Sequence, residues 1–174
     1  HVPYGATEAL PVASATADQI LAGPARLTAQ GKGTCLGRPL PEVEIRILPI
    51  KDGPIESMNP NDFLDSREIG EITVSGPIVT KAYDNNAEAN DIHKVKDRDK
   101  DVVWHRMGDL GYLAEDGKLW FCGRKAEYVE TQEGPLYTEQ VEPIFEEHVD
   151  VRRSALIGLG MQPIREGAIV IEPE

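Results

Sequence analysis

The chain has 174 residues, of which 40% are hydrophobic, and its formal net charge is −12 at pH 7. A disordered chain would be poorer in apolar residues, and a broad nucleic-acid surface would need clustered lysine and arginine, so both are disfavoured. The only cysteines, Cys35 and Cys122, lie far apart, which argues against a disulfide framework and fits a reducing cytoplasm. No apolar run approaches the roughly 20 residues that a membrane-spanning helix needs.

The first half of the chain combines tight turns, short strands and one interrupted helix. A strand end and a tight loop open the chain, and a helix over 18–30 is interrupted at Gly23 and Pro24. Apolar and polar residues alternate over 43–48 and again at the start of 70–79. This pattern predicts two strands, of which the first has one buried face.

Further along, a charge run at 93–101 is typical of a solvated loop. Residues 102–123 then have the pattern of strands joined by a hairpin, whose turn carries the Asp-Gly signal at Asp116 and Gly117. Up to about residue 123, the chain is therefore expected to be β-rich, like a small barrel or sandwich.

After residues 123–125 the pattern changes to alternating helix and strand. Thr138 is suited to cap a helix that runs through Glu146. Strands are predicted at 151–158 and 168–171. We therefore place a domain boundary at 123–125.

Three short motifs carry side chains suited to a nucleotide: YGATE at 4–8, MGDLG at 107–111 and GRK at 123–125. In the first, Tyr4 offers a flat ring on which a base could stack, and Gly5 lets the backbone approach a ligand. Thr7 offers a hydroxyl for a phosphate oxygen, and Glu8 a hard carboxylate for Mg²⁺. The alternative for these five residues is an ordinary tight turn.

In the other two motifs, Asp109 could accept hydrogen bonds from a ribose diol, as acidic residues do in other nucleotide sites. Arg124 could reach the same ribose or a phosphate. The alternatives are turn capping by Asp109 and a surface ion pair for Arg124. The four histidines, by contrast, show no metal-ligand spacing, so a metal hydrolase is not favoured.

In this order, the motifs resemble those of the adenylate-forming superfamily of acyl-CoA synthetases, luciferases and nonribosomal-peptide adenylation domains. The resemblance extends to CLGRPLPEVEIRI, GEITVSGPIVTKAYDNNAEAN and HRMGDLGYLAEDGKLWFCGRK, and so runs nearly end to end. It implies a β-rich α+β fold. Residues 1–123 would be the β-barrel end of the large N-terminal domain, and 124–174 the beginning of the small C-terminal domain.

The resemblance also implies a role for each motif residue in binding ATP. The implied nucleotide-binding residues are Tyr4, Gly5, Ala6, Thr7, Asp109 and Arg124. Tyr4 would stack on adenine, Asp109 would bind the ribose hydroxyls and Arg124 would assist it. Thr7 and Glu8 would be catalytic, with Thr7 on the AMP phosphate and Glu8 holding Mg²⁺. A substrate carboxylate would attack the α-phosphate to give acyl-AMP and pyrophosphate.

Two positions depart from the family pattern. Met107 stands where the family usually has Thr, and Ala126 stands where many members carry a hinge Asp or Lys. The family's Lys-x-x-Gly run is also absent after Ala126, which leaves the use of CoA open. Four segments together, YGATEALPVA, HRMGDLGY, GRKAE-x-VE and GPLYTEQVEP, resemble one branch more closely, the β-lactone synthetases of bacterial olefin biosynthesis. That branch implies a long-chain β-hydroxy fatty acid as substrate and other olefin-pathway enzymes as partners.

Two alternatives to this function stay open: a long-chain fatty acid–CoA ligase, and a non-catalytic β-rich binding module. The family's phosphate loop would lie upstream of Tyr4, and its C-terminal catalytic Lys downstream of Glu174. Loss of such a charge-stabilising group typically costs a factor on the order of 100 to 1,000 in rate. We therefore expect the isolated 174 residues to be inactive.

Overall fold

The computed structural model describes all 174 residues, His1–Glu174. Strands account for 43% of them and helices for 17%. The strands are β1 (Val2–Ala6), β2 (Ala9–Ala15), β3 (Thr34–Pro39), β4 (Glu44–Leu48), β5 (Gly70–Ser75), β6 (Lys94–Lys96), β7 (Val103–Leu113), β8 (Leu119–Arg124), β9 (Val129–Thr131), β10 (Gly134–Leu136), β11 (Val151–Leu159) and β12 (Glu166–Pro173). The helices are α1 (Ala17–Leu21), α2 (Pro24–Ala29), α3 (Ala87–His93) and α4 (Thr138–Glu146), with a 3-10 turn at Pro60–Asp62.

The first eight strands form one antiparallel sheet in the order β1-β2-β3-β8-β7-β5-β4, with β6 added to β7. Strands from distant places in this order share one core. Val12 and Ala13 of β2 pack in the same apolar cluster as Ile45 and Ile47 of β4. The sheet therefore curls around its core, and the predicted β-rich α+β class is confirmed.

Strand β5 lies inside this sheet, between β4 and β7, and all six of its residues are buried. The strand predicted within 70–79 is therefore confirmed, and both of its faces are buried. Ile72 and Val74 face the apolar core, but Glu71 is also buried because it pairs with Arg106 of β7. The alternation in the sequence here separates an apolar core from a buried polar cluster.

The predicted solvated loop at 93–101 is partly wrong. Residues Lys94–Lys96 form β6, which pairs with β7. Between the two lysines, Val95 is buried in a small cluster with Met58 and Trp104. One apolar residue is thus enough to anchor a short strand within a charged segment, because the lysines on either side point away from that cluster.

The predicted break at Gly23 and Pro24 is confirmed, since α1 ends at Leu21 and α2 begins at Pro24.

The predicted cap at Thr138 is wrong by one residue. Tyr137 is the N-cap of α4, and no side chain caps the helix. Thr138 instead packs against Gly123 of β8, where a Cβ atom would lie 2.2 Å from the Thr138 hydroxyl oxygen. Only glycine therefore allows α4 to sit this close to the sheet.

After β8 the chain forms two small antiparallel pairs, β9 with β10 and β11 with β12. The predicted strands at 151–158 and 168–171 are confirmed, whereas the β9–β10 hairpin has no counterpart in the sequence-based predictions. None of the helices is long and apolar enough to cross a membrane.

Candidate nucleotide-binding site

Tyr4, Asp109 and Arg124 come from three different strands and meet at one carboxylate. Asp109 of β7 and Arg124 of β8 are register partners, and Arg124 Nη1 donates to Asp109 Oδ1 at 2.7 Å. The Tyr4 hydroxyl, on β1, donates to the other oxygen, Oδ2, at 2.6 Å. The structure thus brings together three of the predicted site residues, although Tyr4 and Asp109 lie 105 positions apart in the chain.

Electrostatically, the Asp109 carboxylate is a buried anion held by two donors. The residue is only 4% exposed, and this burial raises the pKa of Asp109 against the opposing pull of Tyr4 and Arg124. Burial and the neighbouring Asp109 charge likewise raise the pKa of Tyr4. Each carboxylate oxygen can accept more than one hydrogen bond, so Asp109 keeps capacity for a ligand hydroxyl.

The side chain of Arg124 is 59% exposed, so it can reach a ligand while it stays bound to Asp109. The chain turns directly after it, and Lys125 N–H donates to the carbonyl of Gly108 at 2.9 Å. Gly108 has a φ of 68°, in the left-handed region that favours glycine. The two motif segments are therefore joined through their backbones as well as through the Asp109–Arg124 pair.

Thr7 and Glu8 form the two-residue turn between β1 and β2, where Ala6 pairs with Ala9. Thr7 is exposed and Glu8 is partly buried. Gly5 lies against β2, and a Cβ atom there would come 2.4 Å from the carbonyl oxygen of Ala9. The close backbone approach at Gly5 thus serves the hairpin, which presents Thr7 and Glu8 at its tip.

Glu8 accepts one hydrogen bond from a distant residue, the hydroxyl of Tyr83, at 2.8 Å from Oε1. This bond is the main reason that the pKa of Glu8 lies below its usual value. No cluster of three or more metal-ligating side chains occurs in the structure. In nucleotide sites, Mg²⁺ is commonly bound by one or two carboxylates together with oxygens of the nucleotide. The Glu8 carboxylate, to which only Tyr83 donates from another residue, suits such a site. Glu8 is therefore the residue that would hold the Mg²⁺.

A second charged cluster, which the sequence did not predict, lies beside the site. Arg106 and Glu71, 1% and 2% exposed, form an ion pair at 2.7 Å, and Lys125 Nζ adds a contact to Glu71 at 3.1 Å. Arg106 also donates to the backbone carbonyls of Lys51 and Gly53. In the sequence, Arg106 and Lys125 stand next to or within the motifs. Nothing in the sequence, however, shows that both side chains bind Glu71.

Two sizeable cavities of the structure lie away from the candidate site. They have volumes of about 710 and 680 Å³ and lie at residues 48–62 and between 131–136 and 164–167. Neither is lined by a predicted site residue.

Comparison with known proteins identifies the family. No protein-family model matches the chain. Over 173 residues, 98% of its length, it is 46% identical to an olefin β-lactone synthetase from Xanthomonas campestris pv. campestris. It is 43% identical over the same length to one from Stenotrophomonas maltophilia. The chain belongs to the adenylate-forming superfamily. It spans 31% of the length of both relatives.

Other adenylate-forming proteins share the sequence or the fold. A 2-succinylbenzoate–CoA ligase from Geobacillus kaustophilus is 34% identical over 158 residues, 90% of this chain and 27% of the ligase. The amide bond synthetase from Marinactinospora thermotolerans, as a K483A mutant, aligns with 99% of the chain and 31% of its own, with a TM-score of 0.74 and 26% identity. O-succinylbenzoate coenzyme A synthetase from Bacillus subtilis, solved with ATP and a magnesium ion, aligns with 79% of the chain and 25% of its own, with a TM-score of 0.60 and 26% identity.

These findings confirm the resemblance noted in the motifs, and the β-rich fold matches the C-terminal part of adenylate-forming enzymes. The binding roles of the six nucleotide residues and the boundary at 123–125 stay predictions.

Proposed function

We propose that this chain forms part of an AMP-forming ligase that activates a carboxylic acid with ATP. The observation that carries the proposal is the convergence of Tyr4 and Arg124 on the buried carboxylate of Asp109. In this arrangement the Tyr4 hydroxyl fixes the ring, whose face would stack on adenine, and Asp109 accepts the ribose hydroxyls. The solved coenzyme A synthetase with bound ATP and magnesium ion supports the same choice of cofactors.

In the proposed reaction, an oxygen of the substrate carboxylate attacks the α-phosphorus of ATP. The new acyl–oxygen–phosphorus bond forms as the bond to pyrophosphate breaks, and pyrophosphate leaves with the bonding electrons. Thr7, at the tip of the β1–β2 turn, would donate a hydrogen bond to the α-phosphate. Glu8 would hold the Mg²⁺ that neutralises phosphate charge. The contribution of this chain is therefore to position the nucleotide, which such in-line displacements require.

We further propose a long-chain β-hydroxy fatty acid as the substrate. Its β-hydroxyl oxygen would attack the carbonyl carbon of the acyl-AMP, lose its proton to solvent and displace AMP, which closes a four-membered lactone. The identities of 46% and 43% to olefin β-lactone synthetases support this reading. The exposed Ala126 in the turn after Arg124, where many members carry a charged hinge residue, is consistent with it.

The organisation of the whole protein is part of the proposal. We place residues 1–123 at the end of a large domain and 124–174 at the beginning of a small one, because the eight-stranded sheet ends at Arg124. Such a protein would act in the cytoplasm, beside other enzymes of an olefin pathway. The isolated 174 residues would not catalyse acid activation. Release of AMP from ATP by this chain alone, above a heat-denatured control, would contradict that expectation.

A long-chain fatty acid–CoA ligase is the second candidate, favoured by the 34% identity to a CoA ligase. The deciding experiment supplies the full-length protein with ATP, Mg²⁺ and a long-chain β-hydroxy acid, without CoA, and identifies the organic product by NMR. We expect a β-lactone with one AMP for each lactone. A thioester that forms only after CoA is added would establish the ligase instead. No acid-dependent AMP under either condition would leave the non-catalytic binding module.

A further inference from the structure

Tyr83 lies outside the three motifs, yet its hydroxyl reaches the motif carboxylate Glu8. The two residues are 75 positions apart, and the hydroxyl donates to Glu8 Oε1 at 2.8 Å. Both side chains are partly buried, so the bond is shielded from competing water on one side. No residue other than Tyr83 donates a hydrogen bond to the Glu8 carboxylate from elsewhere in the chain. One oxygen of Glu8 is thus held by the protein, and the other is free to bind a ligand.

The position of Tyr83 is itself fixed by Asn90 on α3. Tyr83 N–H donates to Asn90 Oδ1 at 2.7 Å, and Asn90 Nδ2 donates back to the carbonyl of Tyr83 at 3.0 Å. The side chain of Asn90 therefore pairs with both backbone polar groups of Tyr83. Such a reciprocal pair defines the backbone at residue 83 in the absence of a strand or helix.

Three further side chains pack around the ring of Tyr83. Lys94 Nζ lies 5.2 Å from the ring centroid, within the range of a cation–π contact. His93 and His105 meet the ring edge-on, with centroids 6.3 and 6.5 Å away. The direction of the hydroxyl is therefore determined by packing on several sides.

The same neighbours also hold the backbone of Glu8. Thr80 N–H donates to the carbonyl of Glu8 at 2.8 Å. Lys94 Nζ in turn donates to both the carbonyl and the hydroxyl of Thr80, each at 2.8 Å. Glu8 is thus fixed at its backbone through Thr80 and at its carboxylate through Tyr83.

We propose that Tyr83 is a positioning residue for Glu8, which directs the free carboxylate oxygen toward the divalent cation that accompanies ATP. This inference rests on the proposed function. Its physical basis is that a carboxylate already bound on one oxygen loses less conformational freedom when its other oxygen binds a cation. Loss of the partner that orients a metal ligand typically weakens metal binding about 10- to 100-fold.

The test is Tyr83→Phe in the full-length protein, which removes the hydroxyl and keeps the ring. Binding of Mn²⁺ in the presence of ATP, without acid, is measured by electron paramagnetic resonance of the free ion. The Mg²⁺ concentration for half-maximal AMP formation is measured separately. We expect the Mn²⁺ Kd and the Mg²⁺ concentration for half-maximal AMP formation each to rise about 10-fold. The kcat at saturating Mg²⁺ should change less than about 2-fold. Tyr112→Phe is the matched control, because it removes a hydroxyl that only donates to the carbonyl of Lys32.

Asn90→Ala is a second test, since it removes both hydrogen bonds to the backbone of residue 83 and keeps the Tyr83 hydroxyl. Like Tyr83→Phe, it should raise the Mn²⁺ Kd. Unchanged Mn²⁺ affinity in Tyr83→Phe, in a protein that forms AMP normally, overturns the positioning role and leaves the proposed function intact. A wild-type protein that binds Mn²⁺ with ATP but makes no acyl-AMP overturns the proposed reaction, while the Mn²⁺ Kd alone still decides the role of Tyr83.

Discussion

Arg124 faces Asp109 across β7 and β8, and its Nη1 atom donates to Asp109 Oδ1 at 2.7 Å. Asp109 is buried, whereas most of the Arg124 side chain is exposed. The pair therefore joins a fixed anion in the sheet to a cation that faces solvent. Because the Tyr4 hydroxyl takes the other oxygen of Asp109, these three residues form one unit whose members can be tested separately.

Replacement of Arg124, the exposed residue of the three, should weaken nucleotide binding more than it destabilises the fold. In Arg124→Met, we expect the KM for ATP to rise about 10- to 100-fold, because hydrogen bonds to charged groups contribute about 1.5–3 kcal/mol. Thermal stability should change little, since the lost ion pair is exposed on one side. Arg67→Met is the matched control, as Arg67 forms an exposed pair with Glu115. A KM for ATP that rises equally in both variants would contradict the role of Arg124.

Tyr4 permits a separation of stacking from hydrogen bonding. Tyr4→Phe loses the donor to Asp109 but keeps the ring, so the KM for ATP should rise only a few-fold. Tyr4→Ala also loses the ring and should weaken binding further, by about 1–3 kcal/mol, the usual contribution of a base stacked on an aromatic side chain. Equal affinities in the two variants, measured by titration with AMP, would show that the ring does not stack on the base.

The buried pair of Glu71 and Arg106 should matter for stability. Glu71→Ala leaves Arg106 as an uncompensated buried charge, so we expect the free energy of unfolding to fall by about 3–5 kcal/mol. Glu44→Ala removes the partner of Arg46 in an exposed pair on the neighbouring strand, and should cost about 0–1 kcal/mol. Chemical denaturation of both variants measures the two values. A loss below about 1 kcal/mol in Glu71→Ala would show that the cluster adds little to stability.

His105 predicts a specific pH dependence of stability. Burial lowers the pKa of His105 to about 4 in the folded protein, from 6.5 in a solvated chain. Between these values the unfolded chain binds a proton that the folded protein does not, so the free energy of unfolding falls as the pH drops from about 6.5 to 4. The contribution is at most roughly 3–4 kcal/mol.

The comparison with His105→Phe isolates this contribution, because His93, Glu8 and Lys94, which surround His105, are unchanged. Denaturation curves at a series of pH values should show a shallower loss of stability in the variant over this interval. If the free energy of unfolding fell equally with pH in both proteins, His105 would have the same pKa in the folded protein as in the unfolded chain, which contradicts the prediction.

Motifs in the sequence named three side chains that the structure brings together, while their roles in binding a nucleotide stay predictions. Tyr4, Asp109 and Arg124 meet as the motifs suggested, because each lies on a strand of one sheet. The partner of Glu8 could not be predicted, since Tyr83 lies in an irregular segment 75 residues away. Only the packing of α3 and β6 brings its hydroxyl to the β1–β2 turn.

The fold shows the same division between local and long-range information. Alternation in β4 and the Asp-Gly turn before β8 depend on neighbouring residues, and both were predicted. The burial of Glu71 depends on Arg106 and on the carbonyls of the segment 51–53, which come from other parts of the chain. The start of α4 was predicted one residue late, and Thr138 there packs against Gly123 of β8, a contact that the local sequence does not show.

The central claim, that this site holds an adenylate during acid activation, is tested most directly by exchange of labelled pyrophosphate into ATP. The measurement uses the full-length protein with ATP, Mg²⁺ and a long-chain β-hydroxy acid, in wild type and in Asp109→Asn. We predict exchange that requires the acid and that falls about 10- to 100-fold in the variant, because the amide lacks the charge that strengthens ribose hydrogen bonds. Exchange that is absent in wild type, or undiminished in Asp109→Asn, would contradict the account.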